Sequence, residues 1–253
     1  NKFKQPLILI VSKKLLLQQM KILKYDFKLN ILDEKNLKQN KLHNKFINIL
    51  DVNYKFNKPF DNITNKSNQY LTKSFIIASK ILKKNNCAGL INGPISKKNF
   101  LKNKFSGITE YLAKKSNCTD KVAMLIYNEN LSVCPITTHL PLKKVHKNLN
   151  KIKIINQIKL IKSFYKVKFK KNPKIGVTGL NPHCESNYNT SEEDNIIIPA
   201  IKHLLKKGYK INGPFPADTV FTKQKRKEFD VIVGMYHDQV LTPAKTIFGF
   251  DAI

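Results

Sequence analysis

Three of the six histidines in this sequence stand just past apolar runs of strand length. "LSVCPITTHLP" closes on Thr137, Thr138 and His139; "KIGVTGLNPHCE" on Asn181, Pro182 and His183; "VIVGMYHDQ" on Tyr236, His237 and Asp238. Neutral imidazoles bind a divalent metal such as zinc at about 2.0–2.1 Å, and three protein ligands with an open position are what a catalytic metal needs to polarise a substrate oxygen. The plainer reading is that a histidine at a strand end is a hydrogen-bonding loop residue. The spacing permits both. His43, His146 and His203 lie in lysine-rich contexts and read as surface.

Other polar clusters follow the same kind of element. "NGPISKK" (Asn92 to Lys98) leads from an apolar run into a helix, so its amides and Lys97 could face an anion. Thr109, after Gly107 in "SGITEYLAKK", reads on its own as a helix N-cap. "NGPFPADTVF" (Asn212 to Phe221) reads as a Gly/Pro turn into a helix with Asp218 near its start.

The elements that must position these residues alternate between apolar runs and helical periods, the pattern of βαβ units around a parallel sheet. The runs predict strands at Leu7 to Val11, Phe46 to Val52, Gly89 to Asn92, Val122 to Ile126, Leu131 to Thr137, Lys174 to Thr178 and Val231 to Met235. Helices are predicted over Asn68 to Lys84, Ile152 to Tyr165 and Glu192 to Lys207. The last has Thr190 or Ser191 as a cap, Glu192, Glu193 and Asp194 at the positive end of its dipole, and Gly208 as a stop. Tyr54 to Asn68 reads as a polar loop. In an open α/β sheet the ligand site lies beyond the carboxyl ends of the strands, so histidines far apart in sequence can meet there. A boundary near Lys102 to Ser106 divides the chain into lobes 1–105 and 106–253.

The bulk numbers exclude several classes. At 253 residues and 42% hydrophobic content the chain is globular, with room for two α/β lobes. The formal charge of +29 raises nucleic acid as a partner, but Arg226 is the only arginine, and base-edge and bidentate phosphate readout favour arginine. The lysines read instead as a solvated surface. No apolar run approaches membrane-span length, and the opening "NKFKQPLILIV" lacks the form of a signal peptide, so a cytoplasmic protein is expected. The four cysteines have no CxxC spacing and are expected to be reduced and mostly buried.

"GPISK", "GITEYLAKKSN", "TTHLPLKKV", "GLNPHCES", "EEDNIIIPAI", "NGPFPADTVF" and "MYHDQVLTPAKTIFGFDAI" follow one another in an order and spacing that resemble the 4-hydroxythreonine-4-phosphate dehydrogenase family, over about Pro6 to Ile253. The resemblance implies an α/β, two-lobed isocitrate/isopropylmalate dehydrogenase-like fold with the active site in the interlobe cleft. It implies NAD-dependent (or NADP-dependent) oxidation of 4-phosphooxy-L-threonine in pyridoxal 5'-phosphate biosynthesis, with decarboxylation of the keto acid formed. At matching positions His139, His183 and His237 resemble ligands of a divalent cation (Zn, Mg or Co) shared across a homodimer. Thr109 and Lys245 match substrate-binding positions, and Lys245, eight residues beyond His237, can pair with substrate charge or help move a proton. Asp218 and Asp238 are placed to orient a ligand imidazole.

Three departures accompany the resemblance. Ile108 stands where many members of the family carry histidine, which keeps open a sister dehydrogenase acting on 4-phospho-threonate or phospho-erythronate. The family's "GDPAGIGPE" segment is not found ahead of Asn1, and its substrate-binding asparagine and arginine are not found before Ile253. No NAD-binding residue is therefore assigned. A chain bounded at these two residues is expected to be an inactive, poorly stable copy, because the returning segment completes the first lobe.

Overall fold

The computed structural model describes residues 5–251 other than 40, 85–86, 103, 106, 120, 186–190 and 250. The expected cap Thr190 and the boundary residues Asn103 and Ser106 lie outside the described residues. The chain divides into two compact units, Asn1–Tyr111 and Leu112–Ile253.

The first unit is built on a parallel sheet of β1 (Ile8–Val11), β2 (Leu29–Ile31) and β3 (Ile47–Asp51) in the order β1-β3-β2. Helix α1 (Lys13–Ile22) follows β1 directly, and Ser12 caps it by accepting a hydrogen bond from the Leu15 amide. Helix α2 (Asn68–Lys83) lays Ile77 and Ile81 against Leu32, Leu50 and Val52. Asn48, buried in the central strand, donates to the carbonyls of Leu7 and His43 and accepts from Asn30 and the His43 amide, so its amide is fully engaged. Helix α3 (Ile108–Lys115) runs through the division between the units.

The second unit carries a parallel sheet of β4 (Ser132–Thr137), β5 (Ile175–Thr178), β6 (Ile211–Phe215) and β7 (Val231–Tyr236) in the order β4-β7-β5-β6. Helices α4 (Lys151–Phe169), α5 (Ile198–Lys206) and α6 (Ala217–Val220) connect successive strands, and α7 (His237–Phe248) follows β7 without a break. The central strand is apolar on both faces, as a covered parallel sheet requires. Val231, Val233 and Met235 pack with Ile154, Ile158, Ile161 and Leu204 of α4 and α5. Ile232 turns the other way, to Val220, Val240 and Leu241. Burying each such side chain contributes about 1.5–3 kcal/mol, which makes this alternation the main anchor of the strand ends.

Two expected strands did not form. Gly89 to Asn92 takes no regular structure and Ile91 is 88% exposed; an apolar run becomes a strand only where a neighbour pairs with it. Val122 to Ile126 lies along the free edge of β4 and makes one antiparallel bridge, Ile126 to Val133. After Asn92 to Lys98 comes a single π-helical turn, Lys97–Leu101. The helix expected from Glu192 opens as a π-turn, Glu193–Ile197, with Ser191 accepting from the Asp194 amide, and Gly208 ends its α-helical part at a φ of +72°. Strands β2 and β6 and helices α1 and α7 were not anticipated. Among the cysteines only Cys134 is buried; Cys87, Cys118 and Cys184 are half-buried, because each follows or precedes a loop rather than sitting in a covered strand.

Candidate functional site

Parallel pairing of β4 with β7 and of β7 with β5 puts the carboxyl ends of all three strands on one edge of the second unit's sheet. His139 lies two residues past β4, His237 opens α7 directly after β7, and His183 lies in the turn after β5. The imidazoles of His139 and His237 stand 5.9 Å apart between ring centroids, at an interplanar angle of 38°. Two imidazoles that share one ion at zinc-nitrogen distances have their ring centres about 5–6 Å apart, so this pair fits a common cation. His237 Nδ1 is 2.7 Å from Asp238 Oδ1; with the proton on Nδ1, that contact leaves Nε2 as the ligating atom. His183 is exposed and does not join them in a cluster: among the described residues no group of three or more His, Cys, Asp or Glu within the chain could hold a metal.

His183 takes a left-handed backbone conformation (φ 57°), and so does Cys184 after it (φ 59°). Outside glycine this conformation costs about 1–2 kcal/mol per residue and persists where surrounding contacts impose it. Glu193 anchors the start of this turn, at Leu180 and Asn181. Its carboxylate, 1% exposed, accepts from the amides of Leu180 (2.7 Å) and Asn181 (2.8 Å), from the Asn181 side chain (2.9 Å) and from the Ser191 hydroxyl (3.1 Å). Burial alone would raise the Glu193 pKa, but the hydrogen bonds from Asn181 and Leu180 outweigh it and hold the group below the usual carboxylate value. Gly179 makes room for this, since a Cβ there would meet Cys184 Sγ at 2.7 Å and Glu193 Oε1 at 3.0 Å.

A second buried polar group ties the strands to one another. Gln239, on the covered face of α7, accepts from the Met235 amide (2.7 Å) and the Thr178 hydroxyl (2.8 Å) and donates to the Gly179 carbonyl (2.7 Å). Thr137, the last residue of β4, donates its hydroxyl to the Met235 carbonyl at 2.7 Å. Gly234 leaves space for this arrangement; a Cβ there would stand 3.0 Å from Gln239 Oε1 and collide with Val240.

Sequence reasoning does not single out Glu193 or Gln239: in the sequence Glu193 reads as a dipole-compensating charge and Gln239 as one polar residue among several near a helix start.

The remaining candidates scatter. Lys245 is exposed on α7, about 12 Å along the helix from His237 at 1.5 Å per residue. Asp218 is exposed at the start of α6, within electrostatic reach of Cys184, and Asp238 is exposed beside His237. Thr109, exposed, is the second residue of α3 rather than its cap, and it belongs to the first unit. Burial pushes the Cys134 thiol up to about 12 and raises the Cys184 thiol as well, so neither offers a thiolate nucleophile. A cavity of about 440 Å³ opens at the opposite edge of the same sheet, lined by Lys170, Lys171, Lys174, Lys210 and Lys227, and contains none of the candidate residues. No helix among the described residues is long and apolar enough to cross a membrane.

The family model for the pyridoxal phosphate biosynthetic protein PdxA matches residues 2–253. A 4-hydroxythreonine-4-phosphate dehydrogenase of Sulfurihydrogenibium is 39% identical over 205 residues, covering 79% of this chain and 62% of that protein. A putative D-threonate 4-phosphate dehydrogenase of Oceanobacillus iheyensis is 38% identical over 150 residues, covering 58% of this chain and 45% of that one. The crystal structure of a 4-hydroxythreonine-4-phosphate dehydrogenase from Burkholderia phymatum superposes with a TM-score of 0.80 at 26% identity, over 95% of this chain and 74% of that one. The chain thus spans less than two thirds of the length of the curated relatives it matches.

Proposed function

The chain belongs to the pyridoxal phosphate biosynthetic protein PdxA family, and from that premise we propose that it oxidises 4-phosphooxy-L-threonine with NAD or NADP. Hydride leaves C3 for the nicotinamide ring and the hydroxyl proton leaves for a base. The product, 2-amino-3-oxo-4-phosphooxybutanoate, then loses its carboxylate as carbon dioxide and takes up a proton at C2 to give 3-amino-2-oxopropyl phosphate. Relatives bearing the dehydrogenase name support the reaction class. The observation that carries it to particular residues is the facing pair His139 and His237 at the sheet edge.

In this reading His139, His183 and His237 hold a divalent cation, which when bound supplies Lewis-acid stabilisation of negative charge at the reacting oxygen. Imidazole donors suit zinc or cobalt better than magnesium, and being neutral they leave the ion's charge undiminished. His237 keeps Nε2 for ligation while Asp238 holds its Nδ1 proton, and Asp218 has the corresponding task on the His183 side. Lys245 pairs with substrate charge and helps to move the hydroxyl proton; Thr109 binds substrate. The protein takes the two-lobed isocitrate/isopropylmalate dehydrogenase-like architecture, works in the cytoplasm and completes its metal site as a homodimer.

A second reading has its own support. A relative carries the name of a D-threonate 4-phosphate dehydrogenase, and Ile108 removes a polar contact expected for the amino-acid substrate. NADH formation with 4-phosphooxy-threonine, set against 4-phospho-threonate and phospho-erythronate, separates the two; turnover of a phospho-acid alone would replace the first reading by the second. Metal analysis of the wild type beside His183→Ala tests the site itself, and equal divalent metal in both would remove it.

A further inference from the structure

We propose that Gln239 is a positioning residue that sets the separation between the His237 and His183 turns; the inference rests on the metal-site reading above. Gln239 is the third residue of α7, and its carboxamide reaches back to the Met235 amide, one residue further than an N-terminal capping box reaches. The bond fixes the angle at which α7 leaves β7, and His237 is the first residue after that corner. The same carboxamide crosses to the neighbouring strand, accepting from Thr178 and donating to Gly179, the two residues at which β5 hands over to the His183 turn. All three hydrogen bonds are 2.7–2.8 Å long, and the side chain is 8% exposed.

A carboxamide is needed for this. Its oxygen takes two donors while its nitrogen serves an acceptor, which neither a carboxylate nor an apolar side chain can do. Gly234 leaves room for the group, since a Cβ there would stand 3.0 Å from Gln239 Oε1. Thr137 extends the tie to β4 through the Met235 carbonyl. The three histidine-bearing ends are thus locked in sequence across the sheet by the side chains of Gln239, Thr178 and Thr137. Hydrogen-bond partners of metal ligands typically cost about 10- to 100-fold in metal affinity when removed, and a tie that sets the positions of the ligand-bearing turns is expected to act on the same scale.

The test is titration of the protein with cobalt(II) alone, read by visible absorption, for the wild type, Gln239→Met, Thr178→Val and Tyr165→Phe. Tyr165 donates a buried hydrogen bond to Ser132 at the other end of β4, so its variant loses comparable stability far from the histidines. The expected result is about 10- to 100-fold weaker cobalt binding and an altered spectrum for Gln239→Met, a smaller loss for Thr178→Val, and no change for Tyr165→Phe. Folded Gln239→Met that binds like wild type overturns the inference and leaves the metal reading standing. If Gln239→Met does not fold, Thr178→Val decides, and wild-type binding there overturns the inference as well. Cobalt binding that is absent from the wild type, or unchanged by His237→Ala, removes the metal reading and this inference with it.

Discussion

His139 and His237 reach the same point from different strands, their ring centroids 5.9 Å apart, because β4 and β7 run parallel and end together. Replacing either by alanine is expected to lower dehydrogenase activity by at least about 100-fold while leaving the folded core intact, since neither imidazole is part of it. Chelation of the wild type should mimic the substitutions and be reversed by added zinc or cobalt. Activity retained in His237→Ala would detach the pair from the chemistry.

The carboxylate of Glu193 answers two backbone amides that no strand or helix satisfies. Glu193→Ala takes the acceptor away from two half-buried amides and is expected to cost about 1–3 kcal/mol in urea unfolding. The pH dependence has a definite sign. The folded-state pKa of Glu193 lies below its unfolded value, so its contribution is fully present above the ordinary glutamate range. It is lost as pH falls from the ordinary glutamate range through the lowered value. Glu193→Gln should flatten that part of the acid limb; an unchanged limb would place the acid sensitivity elsewhere.

Gly234 is expected to tolerate no side chain. Its Cβ would enter the space of Val240 and stand 3.0 Å from Gln239 Oε1, and both neighbours are held by the corner between β7 and α7. Gly234→Ala should cost about 1–3 kcal/mol by overpacking. Gly208→Ala makes a useful comparison: nothing lies within 4 Å of that position, but its φ of +72° imposes backbone strain. Equal unfolding midpoints for the wild type and Gly234→Ala would show that the corner relaxes.

How far the sequence discloses this fold depends on what each element owes to its neighbours. Val231 to Met235 is legible because a strand covered on both faces must be apolar throughout, and α4 because its isoleucines recur at helical spacing. Strand β6 is hidden by Gly213 and Pro214, tolerated because β6 is an edge strand that needs fewer amide donors. Pro243 hides α7 in the same way. At the site, chain order alone places His139, His183 and His237 after strands, and parallel pairing then brings those ends to one edge. The buried roles of Glu193 and Gln239 are not legible, because a polar residue at a helix start looks the same in sequence whether it faces solvent or reaches back into the core.

Ile108 offers a test of substrate choice. It is half-buried at the first position of α3, where the family resemblance leads one to expect histidine. A hydrogen bond to a charged group contributes about 1.5–3 kcal/mol, which corresponds to about tenfold or more in kcat/KM. If the chain is a 4-phosphooxy-threonine dehydrogenase that has lost one contact, Ile108→His should raise kcat/KM for that substrate by about this factor relative to 4-phospho-threonate. If the chain is instead built for the phospho-acid, the half-buried imidazole finds no partner on the substrate, and kcat/KM for 4-phospho-threonate should fall while 4-phosphooxy-threonine gains nothing. The direction of the ratio, measured with both substrates on one preparation, therefore assigns the substrate class independently of the metal.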